Sequence, residues 1–198
     1  INSENSYNLL RLINAIANTK EFLNITMDAS KRSAQVIKEI KQSLNLSQEQ
    51  KNHRINLKKN ILTVVKLFSH EIKDSAELIL DLEEDLYIIG WDFKLYQLWS
   101  NLIKNAIYAV NEKSENRTIK IYSKSNKDKV QIVIENNGPQ IPEELSNKIF
   151  EKFYTTKKDR GSGLGLGIVK GVAEAHQAEL KFSSEATKTQ FKITFNCV

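Results

Sequence analysis

Apolar residues recur every seven positions through the first fifty residues, and this repeat limits what that part of the chain can fold into. One row is apolar at every position except Ser30, and its members are Leu9, Ile16, Leu23, Ile37 and Leu44. The same fifty residues contain no Gly and no Pro. The spacing predicts one long helix over about residues 5–46, whose apolar stripe a helix bundle or coiled coil would cover. The alternative is a helix that docks on its own domain.

The hydrophobic pattern changes after residue 50. Residues 47–54 are polar and are interpreted as a linker, so the chain is predicted to divide into a dimerisation helix at 1–50 and a compact domain at 51–198. Helical spacing predicts helices at Leu57–Ala76, Asp92–Asn111 and Gly163–His176, with a short one opening at Pro142. Alternating residues predict strands at Glu77–Leu82, Tyr87–Gly90, Thr118–Ser123, Val130–Glu135, Leu180–Ser184 and Gln190–Phe195. This order predicts an α+β fold with helices packed on one face of a mixed sheet.

Composition excludes several classes of protein. No run approaches eighteen apolar residues, so no membrane segment is expected. The single cysteine, Cys197, is typical of a reducing cytoplasm and cannot form an internal disulfide. The net charge of +5 indicates a lysine-rich surface, and no basic run carries the interleaved aromatic residues of a nucleic-acid groove. Because the chain begins at Ile1 and not at a Met, we expect a fragment of a longer protein, from which a membrane segment could have been left out.

Four short motifs follow one another through the second part of the chain. They are NLIKNA at Asn101–Ala106, ENNGPQIP at Glu135–Pro142, IFEKFYTTK at Ile149–Lys157 and GSGLGLG at Gly161–Gly167. Asn101 and Asn105 are four residues apart, so a helix places both on one face. Amide oxygens are hard, neutral ligands suited to Mg²⁺. Glycines directly before a helix let backbone N–H groups approach a phosphate closely.

In this order the motifs resemble the N, G1, F and G2 boxes of histidine kinases of the GHKL superfamily, over roughly residues 54–198. The resemblance implies a GHKL-type sandwich that binds ATP or ADP with Mg²⁺, with Asn105 as the metal ligand and a mobile ATP lid near residues 154–162. It also implies that Phe150 and Phe153 pack the base of that lid. The implied nucleotide-binding residues are Asn101, Lys104, Asn105, Asn136, Gly138, Ile141, Lys157, Arg160, Gly161, Gly163, Leu164, Gly165, Leu166, Gly167 and Thr189.

Asn101 bears on the reaction that this family member is expected to catalyse. In gyrase-like relatives a Glu stands at this position and activates water for hydrolysis. An amide cannot act as a base, so the sequence favours phosphotransfer to a histidine over hydrolysis of ATP. A serine-phosphorylating anti-sigma kinase of the same superfamily is a further reading, but the long N-terminal helix is unlike those compact domains.

The base-binding positions depart from the family pattern. The family's adenine-binding Asp falls on Asn136, and the second glycine of the same motif falls on Gln140. Asn offers both a donor and an acceptor and could flip between them. We therefore expect weaker ATP binding and a preference over GTP of only about tenfold, maintained by pocket shape and by Thr189.

No histidine of the chain matches the family's phosphoacceptor. His70 lies in a Ser-His-Glu sequence similar to that of the acceptor motif, but it precedes Asn101 by too few residues and is rejected. The N-terminal helix instead resembles the second helix of a dimerisation domain. The chain is thus interpreted as the catalytic part of a cytoplasmic, homodimeric histidine kinase that serves a response regulator receiver domain. The alternative is a degenerate, non-catalytic GHKL domain that acts as a dimeric scaffold.

Overall fold

The computed structural model describes residues 19, 20, 23, 26, 27, 30, 52–112, 115–156 and 162–198. The chain divides into two units between Asn45 and Leu46. In the first unit, the six described residues are helical and exposed, and they include Leu23 and Met27. The rest of the predicted N-terminal helix lies outside the described residues, so association through its apolar stripe stays a prediction.

The second unit contains four helices and seven strands among its described residues, together with two short 3₁₀ turns at Glu143–Leu145 and Lys148–Phe150. In chain order the elements are β1 (His53–Asn56), α1 (Leu57–Leu67), α2 (Ser69–Ser75), β2 (Glu77–Asp81), β3 (Tyr87–Gly90), α3 (Asp92–Asn111), β4 (Thr118–Ser125), β5 (Lys129–Asn136), α4 (Gly165–Ala175), β6 (Glu179–Glu185) and β7 (Lys188–Asn196). The predicted strands and the helices predicted at Asp92–Asn111 and Gly163–His176 are therefore present, with ends displaced by at most two residues, and a 3₁₀ turn stands where a short helix was predicted at Pro142.

Five strands form one mixed sheet in the order β2-β4-β5-β7-β6. β2 runs parallel to β4, and the other neighbours are antiparallel. Alternate residues of the central strands are buried beneath the helices, as expected for a sheet with one covered face. The shared core of sheet and helices includes Leu98, Leu102, Ile132 and Ile193. The predicted α+β class and layer arrangement are confirmed.

Two expectations differ from the structure. The predicted linker overlaps β1 at His53 and Arg54, and this strand pairs with β3 in a separate two-stranded sheet. The pairing joins segments more than thirty residues apart, which local sequence does not reveal. The single helix expected over Leu57–Ala76 is broken at Phe68, which ends α1 and precedes α2. In the described part of the chain, no helix is both long and apolar enough to cross a membrane.

Candidate functional site

Helix α3 carries the first motif and is fixed at both its face and its beginning. Its bounds, Asp92–Asn111, are those predicted, and the apolar side packs into the core. Asp92 accepts a hydrogen bond from Asn60 Nδ2 at 2.9 Å through Oδ1, and its Oδ2 lies 2.9 Å from His53 Nε2. A carboxylate in the first turn also interacts favourably with the helix dipole. The helix that presents Asn101 and Asn105 is therefore anchored to both α1 and β1.

Asn101 lies against the beginning of helix α4. Its Nδ2 donates to the Gln97 carbonyl oxygen at 2.8 Å, which leaves Oδ1 directed away from its own helix. A methyl group added at Gly165, the first residue of α4, would lie 2.9 Å from that Oδ1. The first and last motifs are thus in contact, and any larger residue at position 165 would require the Asn101 side chain to move. The N-cap residue Leu164 makes no side-chain hydrogen bond to the first turn of α4, and a helix beginning of this kind is suited to bind an anion.

The two ends of the predicted lid segment meet at Phe153 and Gly163. Gly163 has a φ of +71°, and an added Cβ would lie 2.3 Å from the Phe153 carbonyl carbon. Phe153 itself has a φ of +68° and an exposed side chain. The left-handed conformation at Gly163 also explains why α4 begins at Gly165 and not at the predicted Gly163. The predicted phosphate-binding residues Lys157, Arg160 and Gly161 lie outside the described residues.

The other predicted residues of this region differ in their surroundings. The Lys104 Nζ lies 5.3 Å from the centroid of the Phe68 ring, at the break between α1 and α2. Leu164 is buried, and Leu166 packs against the core from a half-buried position. Gly167 follows Gly165 by two residues, in the first turn of α4. Lys104 as a phosphate ligand therefore stays a prediction, whereas both leucines have a clear packing role.

The second group of predicted residues forms a polar row at one end of the covered sheet face. Asn136, Thr189 and Ser184 are direct neighbours across β5, β7 and β6. Asn136 is 3% exposed and Thr189 is 2% exposed. The next residues of this face towards the middle of the sheet are apolar, including Ile134 and Phe191. A buried polar row at the end of an apolar face is suited to hold a flat ligand with a polar edge.

Gly138 closes this row against helix α3. An added Cβ at Gly138 would lie 2.7 Å from the Ala109 carbonyl carbon, carbonyl oxygen and Cβ. The Gly138 N–H donates to Asn136 Oδ1 at 3.1 Å. Because a backbone N–H can bond only to the amide oxygen, this contact fixes the orientation of the Asn136 amide. The expected free flipping of Asn136 therefore disagrees with the structure.

Sequence reasoning missed Ser184, which connects three parts of the polar row. Its Oγ accepts a hydrogen bond from the Ile141 N–H at 2.9 Å and lies 2.7 Å from Thr189 Oγ1. The nearby Gln140 Nε2 donates to the Ser184 carbonyl oxygen at 3.4 Å. The period-two pattern of Leu180 and Phe182 already placed Ser184 on the covered face, so a signal was present. Ser184 positions Thr189 and holds the loop after β5.

His176 supports the beginning of α3. Its Nδ1 donates to the Val172 carbonyl oxygen, with 2.8 Å between the two atoms, and its Nε2 accepts from the Trp91 N–H at 3.2 Å. The ring is therefore neutral, with its proton on Nδ1. Burial lowers the pKa of His176, which nearby Lys94 lowers further, while the bond to Val172 acts in the opposite direction. The residue connects the end of α4 to the beginning of the helix that carries Asn101.

Comparison with known proteins agrees with this geometry. The family described as histidine kinase-, DNA gyrase B- and HSP90-like ATPase matches residues 92–197. Sporulation kinase A of Bacillus subtilis is 30% identical over 179 residues, which cover 89% of this chain and 29% of that protein. The probable sensor kinase SilS of Salmonella typhimurium is 30% identical over 140 residues, which cover 67% of this chain and 28% of that protein. The chain thus spans less than a third of the length of either relative.

Solved structures give the same result for the fold. The catalytic domain of histidine kinase ThkA is 31% identical, with a TM-score of 0.67 over 74% of this chain and 96% of that one. ThkA in complex with the response regulator protein TrrA is 30% identical, with a TM-score of 0.71 over 90% of this chain and 51% of that one. The chain therefore belongs to the histidine kinase-like ATPase family and represents the catalytic region of a sensor histidine kinase, which confirms the resemblance seen in the four motifs.

Proposed function

We propose that this chain binds ATP with Mg²⁺ and transfers the γ-phosphoryl group of the ATP to a histidine. The observation that carries the proposal is the approach of Gly165 to Asn101 Oδ1, where an added methyl would lie at 2.9 Å. This approach brings the N–H groups at the beginning of α4 next to the face of α3 that carries Asn101 and Asn105. Phosphates are held by such N–H groups, and the polar row of Asn136, Thr189 and Ser184 is available to the base.

The donor set of this region fits Mg²⁺. Asn105 is half-buried on the same helix face as Asn101, one turn closer to the C-terminus of α3. Its amide oxygen is a ligand of the type that Mg²⁺ accepts when phosphates and waters complete the coordination. A bound Mg²⁺ would neutralise charge on the phosphates. Lys157 and Arg160 remain candidate phosphate ligands from the lid segment.

The reaction proposed is transfer and not hydrolysis. In the transfer, the bond between the γ-phosphorus and the bridging oxygen breaks, a phosphorus–nitrogen bond forms at an imidazole, and ADP leaves. Asn101 has no basic group with which to activate water. Its amide is instead occupied by the Gln97 carbonyl at 2.8 Å, so the residue is suited to hold the site in shape.

The acceptor is proposed to be a histidine other than the three in this chain. His53 is bonded to Asp92, and His176 is bonded on both ring nitrogens. His70 is exposed on the short helix α2, inside the ATP-binding unit. We further propose a cytoplasmic homodimer associated through the N-terminal helix, with a response regulator as partner. The latter is supported by the ThkA–TrrA complex.

A specific observation favours a second candidate, a non-catalytic scaffold that binds nucleotide weakly. Asn136 replaces the family's Asp, and its oxygen is engaged by Gly138. Gln140 replaces a glycine of the same motif and is bonded to Ser184. Both differences affect the base end of the site, whereas the contact between Asn101 and Gly165 is retained.

Titration calorimetry with ATP, in Mg²⁺ and in EDTA, distinguishes the two candidates. We expect ATP to bind at micromolar to millimolar concentration, and Mg²⁺ to strengthen this binding. Asn105→Ala should weaken ATP binding about tenfold in Mg²⁺ and leave the affinity in EDTA unchanged. No heat at millimolar ATP would contradict nucleotide binding. Radiolabelled ATP should leave no acid-labile phosphate on the chain alone, and a label that His70→Ala removes would identify His70 as the acceptor after all.

A further inference from the structure

The amide oxygen of Asn136 is held by a hydrogen bond from the loop that follows β5. Asn136 is 3% exposed, and its Oδ1 accepts from the Gly138 N–H at 3.1 Å. Turning the amide over would bring its NH₂ against that N–H, two donors face to face, and would leave the backbone group unsatisfied. The oxygen therefore stays with Gly138, and the edge left for a ligand is the NH₂ group.

The loop that supplies this N–H is itself held in place. Gly138 fits against α3 so closely that an added Cβ would lie 2.7 Å from the Ala109 backbone. On its far side the loop is bonded through the Ile141 N–H to Ser184 Oγ at 2.9 Å. The Asn136 amide cannot readily turn with the loop, because both flanks of the loop are fixed.

The NH₂ group of Asn136 lacks a partner of its own. Within the described part of the chain, the bond to Gly138 is the hydrogen bond that the Asn136 side chain makes. Asn136 Nδ2 is not among the fully buried side-chain atoms of the described residues that lack a hydrogen-bond partner. The NH₂ group is therefore open to solvent, where an acceptor on a ligand can take the place of water. The neighbouring Thr189 hydroxyl can donate or accept, since its present partner is the Ser184 hydroxyl at 2.7 Å.

A carboxylate at position 136 would behave differently. One of its oxygens could accept from Gly138 while the other still offered an acceptor to a base. The 6-amino group of adenine is a donor and needs such an acceptor, whereas a 6-oxo purine presents an acceptor oxygen beside an N1–H donor. The fixed amide of Asn136 matches the 6-oxo group, and the Thr189 hydroxyl can accept from N1–H.

We propose that Asn136 presents a fixed NH₂ donor to the base, so that the site binds 6-oxo purine nucleotides at least as readily as adenine nucleotides. This inference rests on the proposed nucleotide-binding function. It replaces the earlier expectation of a tenfold preference for ATP over GTP, which assumed an amide that flips. The phosphate end of the site is expected to contribute equally to both classes of nucleotide, because both carry the same phosphates.

The test compares ADP with IDP, which differ only at the 6-position and N1, by calorimetry in Mg²⁺. For the native chain we expect the dissociation constant of IDP to be no more than about threefold larger than that of ADP. Asn136→Asp restores an acceptor and should raise the preference for ADP to at least about tenfold. Asn137→Asp is the matched control, since its amide bonds Thr118 N–H and the Asn116 carbonyl, and the added charge there should leave the ratio unchanged.

Purine riboside diphosphate, which lacks any 6-substituent, provides a second measurement that needs no variant. It should bind about as tightly as ADP, because the 6-amino group finds no acceptor in Asn136. Binding of ADP more than about thirtyfold tighter than IDP would overturn the inference alone, as would a ratio that Asn136→Asp does not move. Failure of both nucleotides to bind at millimolar concentration would overturn the proposed function, and the inference with it.

Discussion

The phosphate end and the base end of the proposed site are formed in different ways. At the phosphate end, Gly163 and Gly165 bring backbone groups close to Phe153 and to Asn101 Oδ1. At the base end Gly138 also lies close to Ala109, but the groups that face a ligand are side chains held by hydrogen bonds, with Ser184 joining Thr189 to the Ile141 N–H. The family motifs are intact at the first end and altered at the second, at Asn136 and Gln140.

This difference shows which changes each end tolerates. At Gly163 an added Cβ would meet the Phe153 backbone, which cannot move away without a backbone shift, whereas at Gly165 it would meet the Asn101 side chain, which would have to move. A hydrogen-bonding side chain can be exchanged for one of similar shape, at the cost of a changed donor and acceptor pattern. Substitution at the base end should therefore alter which base is preferred, whereas substitution at the phosphate end should weaken all nucleotides alike.

Gly163→Ala should have the largest effect and sharpens the comparison from the phosphate end. The residue has a φ of +71°, and the new Cβ would lie 2.3 Å from the Phe153 carbonyl carbon. A left-handed non-glycine residue alone costs about 1–3 kcal/mol, and the overlap adds to that. We expect a free energy of unfolding lower by at least about 2 kcal/mol in urea denaturation, and weaker binding of ATP and ITP in equal proportion.

Gly171→Ala is the matched control for this experiment. Gly171 lies inside α4, and an added Cβ there would meet no atom within 4 Å. Alanine should raise helix stability at that position by about 0.5–1 kcal/mol. Equal stabilities for the two variants would show that the close approach of Gly163 to Phe153 does not exist in solution.

Ser184→Ala should have a smaller effect and sharpens the comparison from the base end. Loss of the hydroxyl leaves the Ile141 N–H unsatisfied and frees Thr189, at a cost of about 1 kcal/mol. We expect ATP binding to weaken by about fivefold, with binding of inorganic triphosphate unchanged. Calorimetry with both ligands is the measurement.

Ser183→Ala serves as the control for Ser184→Ala, because the neighbouring residue of β6 points to the opposite face of the sheet. It should leave the binding of both ligands unchanged. An equal loss for ATP and for triphosphate in Ser184→Ala would break the proposed separation of the two ends.

Regular local patterns account for what the sequence predicted well. The twenty-residue helix α3 has its predicted bounds, because its apolar spacing is unbroken from Leu95 to Val110. The period-two pattern likewise located β5 and β7 to within two residues at either end. In each case the signal lies within the element itself.

Features that depend on distant contacts were not predictable. Strand β1 is four residues long and forms only by pairing with β3. The orientation of the Asn136 amide is set by a turn two residues later and by the fit of Gly138 against Ala109. A sequence states which donors and acceptors are present, whereas tertiary packing decides which of them remain free for a ligand.

The pH dependence of stability is expected to be the smallest effect, and it concerns the support of the phosphate end. Neutral His176 accepts from the Trp91 N–H at the beginning of α3 through Nε2 at 3.2 Å. Burial is the main cause that lowers its pKa in the folded state. A lowered histidine pKa stabilises the fold fully above the unfolded value of about 6.5, and the stabilisation is lost as the pH falls from there through the folded pKa.

Urea denaturation at pH 7.5 and pH 5.5 measures this contribution, because the unfolded chain binds a proton at His176 across this range more readily than the folded one. The native chain should lose more stability on acidification than His176→Gln, which has no titrating group at that position. His70→Gln is the matched control, since His70 is exposed on α2, and it should retain the native pH dependence.

Protonated Nε2 of His176 cannot accept from the Trp91 N–H, so ATP should also stabilise the fold less at pH 5.5 if α3 loosens at its beginning. An identical acid response in the native chain and His176→Gln would show that this histidine does not link α4 to α3, and the phosphate end would then depend on its glycines alone.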